Sequence, residues 1–278
     1  MFRNDLAISW TRGFYKNSGE NILVPSDLIY YGYENDDHRI CFGDSSGTAA
    51  HMDYEMAFKG ALLELIERDA LMRNWYERKP PVKISNDILP VHVKHRMEYW
   101  KAKGRNVYVL DMNSPYAATF QVVIVGEDYP CFVSGAATTI DNFEEAIQKA
   151  LQEAEFSLLL DLQKKETVRI SPKEVSSPQD HGNLYADKTY MNHISWLWSG
   201  EEKRKFDFKN TTIADLVTKL NPIVVDLSEE GADIKVLCVL SEHCIPISFG
   251  YGMDYYTHNA LKDLNVNMEN RKLPHYFA

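Results

Sequence analysis

Read for its alternation of apolar and polar positions, the chain divides into short strand-like runs and two long helical stretches. The first long stretch contains ALLELIERDALMRNW, residues 61–75, where Glu64 and Glu67 stand three apart among Leu62, Leu63, Leu65 and Ile66. A helix is expected from about Asp53 to Arg78, with Asp53 as N-cap and Glu55 in the first turn. Lys79-Pro80-Pro81 ends it, because proline cannot continue the backbone ladder. Before this helix, ENILVPSDLIYYGY (20–33) reads as strand, turn and strand, and RICFGDSSGTAA (39–50) as a strand running into small residues. After it, residues 89–104 predict a helix closed by Gly104, and 105–112, 118–127 and 131–139 predict strands.

The second long helix is expected over NFEEAIQKALQEAEFSLLLDLQKK, residues 142–165. Residues 166–186, polar with two prolines, read as a surface loop. Helices around 184–200 and 212–220, then strands at 222–228 and 234–240, complete the regular part. The tail beyond them has little periodicity and much glycine and aromatic content. Alternating strands and helices predict an α/β or α+β layered domain, and no composition break divides residues 1–278.

An internal echo runs through this pattern. SGTAA before EMAFKGALLELIE parallels SGAATT before EEAIQKALQEAE. Each is a small-residue loop followed by a helix with acids in its early turns: Glu55 ahead of Glu64, and Glu145 ahead of Glu153.

Composition narrows the function. With 278 residues, 45% hydrophobic and 25% charged, the chain is long enough to bury a sizeable core. The net charge is −10, and the short basic runs at 163–169 and 201–209 are interrupted by acids, so a nucleic-acid groove is not expected. No apolar run approaches the roughly 20 residues of a membrane span, and no signal peptide opens the chain. A cytoplasmic protein is therefore expected. Cys41, Cys131, Cys238 and Cys244 are too scattered for a zinc ribbon or a CxxC pair, and read as reduced structural residues.

Residues three apart on a helix lie about 60° apart around its axis, so Glu64 and Glu67 share a face and Arg68 can pair with Glu64. One reading is a salt-bridged, solvated helix edge. The other is a cation site. Buried carboxylates need compensating charge, and magnesium takes carboxylate oxygens together with substrate phosphates. Two acidic helices facing one another would cradle a metal-bridged triphosphate. No GxxxxGK[ST] or GxGxxG loop accompanies them.

Residues 45–81, with the deep run LLELIERDA, resemble the signature of the YcaO family. ENILVPSDLIYYGY, SGAATTIDNFEEAIQKALQEAE and IPISFGYG resemble further family segments, and LPHYFA is similar to a worn form of its proline-rich terminus. The resemblance implies an α+β layered fold with mixed sheets, two long acidic helices and an internal repeat. It also implies ATP and Mg2+ as cofactors. Glu64, Glu67, Glu145 and Glu153 would be metal ligands, with Arg68 on phosphate or holding Glu64. The terminal carboxylate of Ala278 would be the proton-transfer base, with His275 as its rival.

The implied activity is ATP-dependent cyclodehydration of Cys, Ser or Thr in a ribosomally made precursor peptide to thiazoline or oxazoline. The alternatives are backbone thioamidation and a non-catalytic subunit of a peptide-modifying complex. Implied partners are the precursor peptide, a leader-peptide-binding protein and a dehydrogenase in the same complex. Several positions depart from the pattern. The chain begins close to the VPSDLIYY strand, which suggests a shortened N-terminus. Gly60 and Phe156 stand where polar residues are common, and Tyr276 and Ala278 where prolines are expected.

Overall fold

The computed structural model describes residues 7–31, 41, 43–164, 168–205, 210–253 and 255–277. In chain order the elements are β1 (Trp10–Tyr15), β2 (Asn21–Pro25), β3 (Thr48–His51), α1 (Tyr54–Glu77), β4 (Val82–Ile84) and α2 (Val91–Ala102). They continue with β5 (Arg105–Asp111), β6 (Ala118–Gly126), β7 (Phe132–Thr139), α3 (Phe143–Leu162), α4 (Pro178–Ala186) and α5 (Met191–Ile194). The last are β8 (Glu202–Lys203), α6 (Ile213–Leu220), β9 (Ile223–Asp226) and β10 (Lys235–Leu240).

The described residues form two five-stranded sheets. One, in the order β2-β1-β9-β10-β3, is antiparallel throughout; the other, β7-β6-β5-β4-β8, is antiparallel except where β8 pairs parallel with β4. The expected α+β fold with mixed pairing is present. Helix α1 packs against both sheets, and α3 lies along β6 and β7. The placement of α1 explains its composition. A helix covered on one side keeps a polar face, whereas α1 buries Leu65, Ile66, Glu67, Asp69, Ala70, Leu71 and Met72 in almost unbroken succession. Its first half packs with α6, β9 and β10 through Leu216, Leu220, Val224 and Val239. Its second half packs with α4 and the C-terminal segment through Leu184, Tyr185, Ile247, Tyr276 and Phe277.

Asp69 ties the second half down. Its Oδ2 accepts from Arg73 Nε at 2.7 Å and its Oδ1 from the Ile245 amide at 2.7 Å, with no exposed surface left. An ion pair of this kind is costly to break on one side, because the other charge stays buried.

The internal echo is structural as well as sequential. Asp53 caps α1 by accepting from Met56 N, and Asn142 caps α3 by accepting from Glu145 N. Counted from these caps, Glu64 and Glu153 occupy the same position, as do Ala57 and Ala146, Ala61 and Ala150, and Leu62 and Leu151. On this register the counterpart of Glu55 is Glu144, not Glu145. Each repeat also carries a closely packed glycine ahead of its helix. A Cβ on Gly47, where φ is +71°, would lie 2.4 Å from Val239 O; a Cβ on Gly135 would lie 2.4 Å from Ala150 O and 2.7 Å from Glu153 Cβ.

Several expectations are revised. The turn expected within 20–33 is the 3-10 turn at 26–28, but residues 29–31 continue as turn instead of a second strand, and strand β1 was not anticipated. The strand expected to open 39–50 falls largely outside the described residues, and the small residues themselves supply β3. The loop expected over 166–186 contains α4, because Pro178 follows an N-cap Ser177 whose capping box with Asp180 starts a helix. The helix expected over 184–200 is divided among the end of α4, α5 and 3-10 turns.

The contact at Gly135 sets how closely α3 approaches β7. Gly135→Ala should lower stability by about 2–3 kcal/mol in urea unfolding, since backbone atoms of α3 have to move. A loss below about 0.5 kcal/mol would show that the helix shifts freely.

Candidate active site

The long burial of α1 brings Glu64, Glu67 and Arg68 to a cleft of about 400 Å³ whose other wall is β7 and α3. Ala136, Thr138, Lys149 and Glu153 line that wall, and Gly60 lies on the α1 side. The two acidic helices thus meet, as the sequence expectation required. Glu153 Oε2 accepts from the Ala136 amide at 2.7 Å, which fixes its carboxylate on β7.

Arg68 is the central cation. Its Nη2 lies 3.7 Å from Glu64 Oε1, its Nη1 lies 3.2 Å from Glu67 Oε1, and its Cζ sits 4.5 Å from the centre of the Phe277 ring. Nη1 is buried and, despite the charge contact, has no hydrogen-bond partner among the described residues. Both sequence readings of Arg68 remain: it holds the glutamates, and it keeps a donor in reserve.

Three carboxylates share one guanidinium here, and their proton affinities record the shortage. Burial raises Glu64 to about 6, with Arg68 opposing and the charges of Asp44 and Glu153 adding to the rise. Glu67 is raised to about 7, again by burial first, against Arg68 and with Glu153 and Glu64 reinforcing. Glu153 is also raised by burial, which its bond from Ala136 and the nearby Arg68 only partly offset. A cluster of desolvated acids with raised proton affinity is a frequent mark of functional sites.

Not every expected residue joins them. Glu145 sits in the first turn of α3, accepts from Asn142 Nδ2, and pairs with Lys149 at 2.9 Å on the exposed surface. It lies outside the cleft lining, so of the four glutamates expected as ligands the fold brings Glu64, Glu67 and Glu153 together and leaves Glu145 apart. Even so, among the described residues no three His, Cys, Asp or Glu stand arranged to hold a metal ion by themselves. His275 is also corrected as a candidate base. It is fully buried, its Nε2 donates to Ser248 O at 2.6 Å, and burial holds its pKa well below the ordinary value. Ala278 lies outside the described residues. The chain does reach the cleft at Phe277, under Arg68.

Asp44 was not anticipated. It lies in the small-residue loop before β3, where its Oδ1 accepts from Ser46 N at 2.7 Å, and its charge acts on Glu64. It also lines a second cavity of about 500 Å³ with Tyr30, Tyr31, Phe249, Tyr251 and Met253. The only sequence signal was an acid next to a glycine, too common a pattern to single out.

The donor set suits magnesium and triphosphate. Its carboxylate oxygens are hard ligands, and a buried guanidinium nitrogen lacking a hydrogen-bond partner fits a phosphate oxygen.

Comparison with known proteins agrees. The family model for YcaO cyclodehydratases, described as ATP- and Mg2+-binding, matches residues 1–247. A heterocyclase in complex with substrate and cofactor has a similar fold, with a TM-score of 0.71 at 21% identity over 92% of this chain. This chain spans only 34% of that protein's length. The E. coli microcin synthetase McbBCD complex with pro-MccB17 bound matches over 98% of this chain and 73% of its own, at 14% identity and a TM-score of 0.73. YcaO from Methanopyrus kandleri, bound with AMPPCP and Mg2+, matches over 96% of this chain and 71% of its own, at 17% identity and a TM-score of 0.66. At these identities the likeness concerns the fold. No curated protein matches the chain. The extent of the family match is decisive: the chain belongs to the YcaO family.

Because the fold raises Glu64 and Glu67 above 4.5, it favours their protonated forms. Their contribution to stability is therefore full below that pH and is lost as pH rises through about 6 to 7. A cation in the cleft needs them ionised. Calorimetric titration with Mg2+-ATP at about pH 6.5, in two buffers of different ionisation enthalpy, should show net proton release. The release should shrink in Glu67→Gln, and wild-type affinity should rise with pH through this range. Proton uptake on binding would mean that these carboxylates are not the ligands.

Proposed function

We propose that this member of the YcaO family is the ATP-using catalytic chain of a peptide cyclodehydratase. One observation carries the reading: the acids of two separate helices and one underpartnered arginine converge on a single cleft. In the reaction, a Cys, Ser or Thr side chain of a precursor peptide adds to the preceding amide carbonyl. The former amide oxygen leaves as phosphate, which gives a thiazoline or oxazoline, and ATP becomes ADP. Bound Mg2+-ATP supplies the phosphoryl group that turns this oxygen into a leaving group.

The chain's own residues bind and orient. Glu64 and Glu67 from α1, with Glu153 from α3, hold the magnesium through carboxylate oxygens. The Ala136 amide keeps Glu153 turned into the cleft. Arg68 offsets the glutamates in the resting site and offers Nη1 to a phosphate oxygen. Lys149, reaching the cleft from α3, adds a second cation at its mouth. Glu145 contributes by pairing with Lys149, not as a ligand.

Substrate delivery is assigned to a leader-peptide-binding partner, with a dehydrogenase acting afterwards on the azoline. The second cavity, with four aromatic rings and Asp44 in its lining, leaves room for a peptide segment.

The assembled complex with precursor peptide should yield a product lighter by one water per ring, dependent on ATP and Mg2+, as read by mass spectrometry. Glu64→Gln combined with Glu67→Gln should lower the rate by roughly 100-fold or more while preserving the circular dichroism of the fold. Equal rates in wild type and variant would refute the assignment. Product formed only with added sulfide would make the chain a thioamide-forming enzyme, and no ATP use by the folded complex would leave it a non-catalytic subunit.

A further inference from the structure

The C-terminal residues 274–277 are buried although they belong to no helix or strand. Side chains hold them. Two come from one face of α4, a turn apart: Tyr185 donates its hydroxyl to Pro274 O at 2.7 Å, and His181 Nδ1 lies 2.7 Å from His275 O. A third comes from the tail itself, where the Tyr276 hydroxyl donates to Gln121 Oε1 at 2.9 Å.

His181 does more than its neighbours. Its Nε2 accepts from the Gly250 amide at 2.9 Å, at a turn where φ is +115°. An acceptor at Nε2 and a carbonyl at Nδ1 permit one neutral tautomer, with the proton on Nδ1. The ring is fully buried, and it lies against His275 at 4.0 Å between centroids and edge-on to Phe249 at 5.4 Å. Two residues beyond His275, the Phe277 ring supports the Arg68 guanidinium. The chain of contacts therefore runs from α4 through the tail to the central cation of the cleft.

We propose that His181 is a positioning residue for that cleft: by donating from Nδ1 to His275 O, with the Gly250 amide at Nε2 fixing its tautomer, it seats Phe277 beneath Arg68 and so aims the arginine at the glutamates and at phosphate. The phosphate half of this statement rests on the function proposed above. The clasp does not.

Two amides separate the two bonds of His181. Asparagine can place its NH2 near the Nδ1 position and keep the donor to His275 O, while glutamine can place its oxygen near the Nε2 position and keep the acceptor for Gly250. The first experiment combines hydrogen exchange over residues 274–277 with arginine-selective labelling of Arg68 by phenylglyoxal, on the full chain without nucleotide. His181→Gln should speed tail exchange and Arg68 labelling by about tenfold, and His181→Asn should stay within about threefold of wild type. Equal behaviour of the two variants would overturn the clasp, since simple loss of packing would not distinguish them.

The second experiment measures ATP consumption by the complex with precursor peptide. His181→Gln should raise the KM for ATP about tenfold with kcat within about threefold, and Phe277→Leu should do the same. The double variant should be no worse than either single one, because both act through one contact. Additive losses, or an unchanged KM alongside a loosened tail, would overturn the positioning role. Should His181→Gln fail to fold, Phe277→Leu carries the comparison with His181→Asn. Absence of ATP use by wild type would count against the proposed function alone, because exchange and labelling still decide the clasp.

Discussion

Taking a carboxylate out of water costs several kcal/mol unless a cation or a set of donors replaces the solvent. Helix α1 buries Glu67 and Asp69 in one turn and half-buries Glu64 beside them. Asp69, although burial still raises its proton affinity, is given two donors of its own, Arg73 and the Ile245 amide. Glu64 and Glu67 are not, since they divide a single guanidinium with Glu153 close enough to act on all of them. The contrast along one helix separates structure from chemistry. The satisfied acid anchors the C-terminal part of the chain, and the undersupplied acids face an open cleft.

The packing around α1 follows from this requirement. Carboxylates can be held in so apolar a setting only if their helix is clamped on all sides, and α1 lies between two sheets with the tail over its second half. The opposite wall repeats the device. Glu153 stands at the same distance from its N-cap as Glu64 does, on a helix drawn close to its strand by Gly135, while Gly47 brings the loop ahead of α1 close to β10. Two copies of a strand, a glycine contact and a capped helix thus deliver one acid each to a shared cleft. Glu67 and Arg68 are what α1 adds.

Much of this was legible in the sequence because it is local. Asp53 and Asn142 announce their helices through capping, and the leucine-rich surroundings of Glu64 mark it as partly buried. Glu145 was matched with Glu55 because both stand near a first turn, as does its neighbour Glu144; only the register counted from the cap distinguishes them. Helix α4 was hidden for a related reason. Its Pro178 punctuates loops as often as it opens helices, and the Ser177–Asp180 capping box resolves the choice only once the backbone is seen. Asp44 and His275 depend on contacts between distant segments, for which periodicity carries no signal.

The tail makes the same point most sharply. Hydrophobic period identifies segments whose backbone bonds are satisfied by their own helix or sheet, and residues 274–277 belong to neither. Their burial depends on acceptors and donors brought from α4 and β6 by the rest of the fold. Such a segment can order only after α1, α4 and the second sheet are in place, since each supplies part of its seat. Its last described ring then lies against Arg68, the cation that three carboxylates share. The cleft is therefore completed by the part of the chain with the least intrinsic preference for structure, and its electrostatics are coupled to the docking of that part.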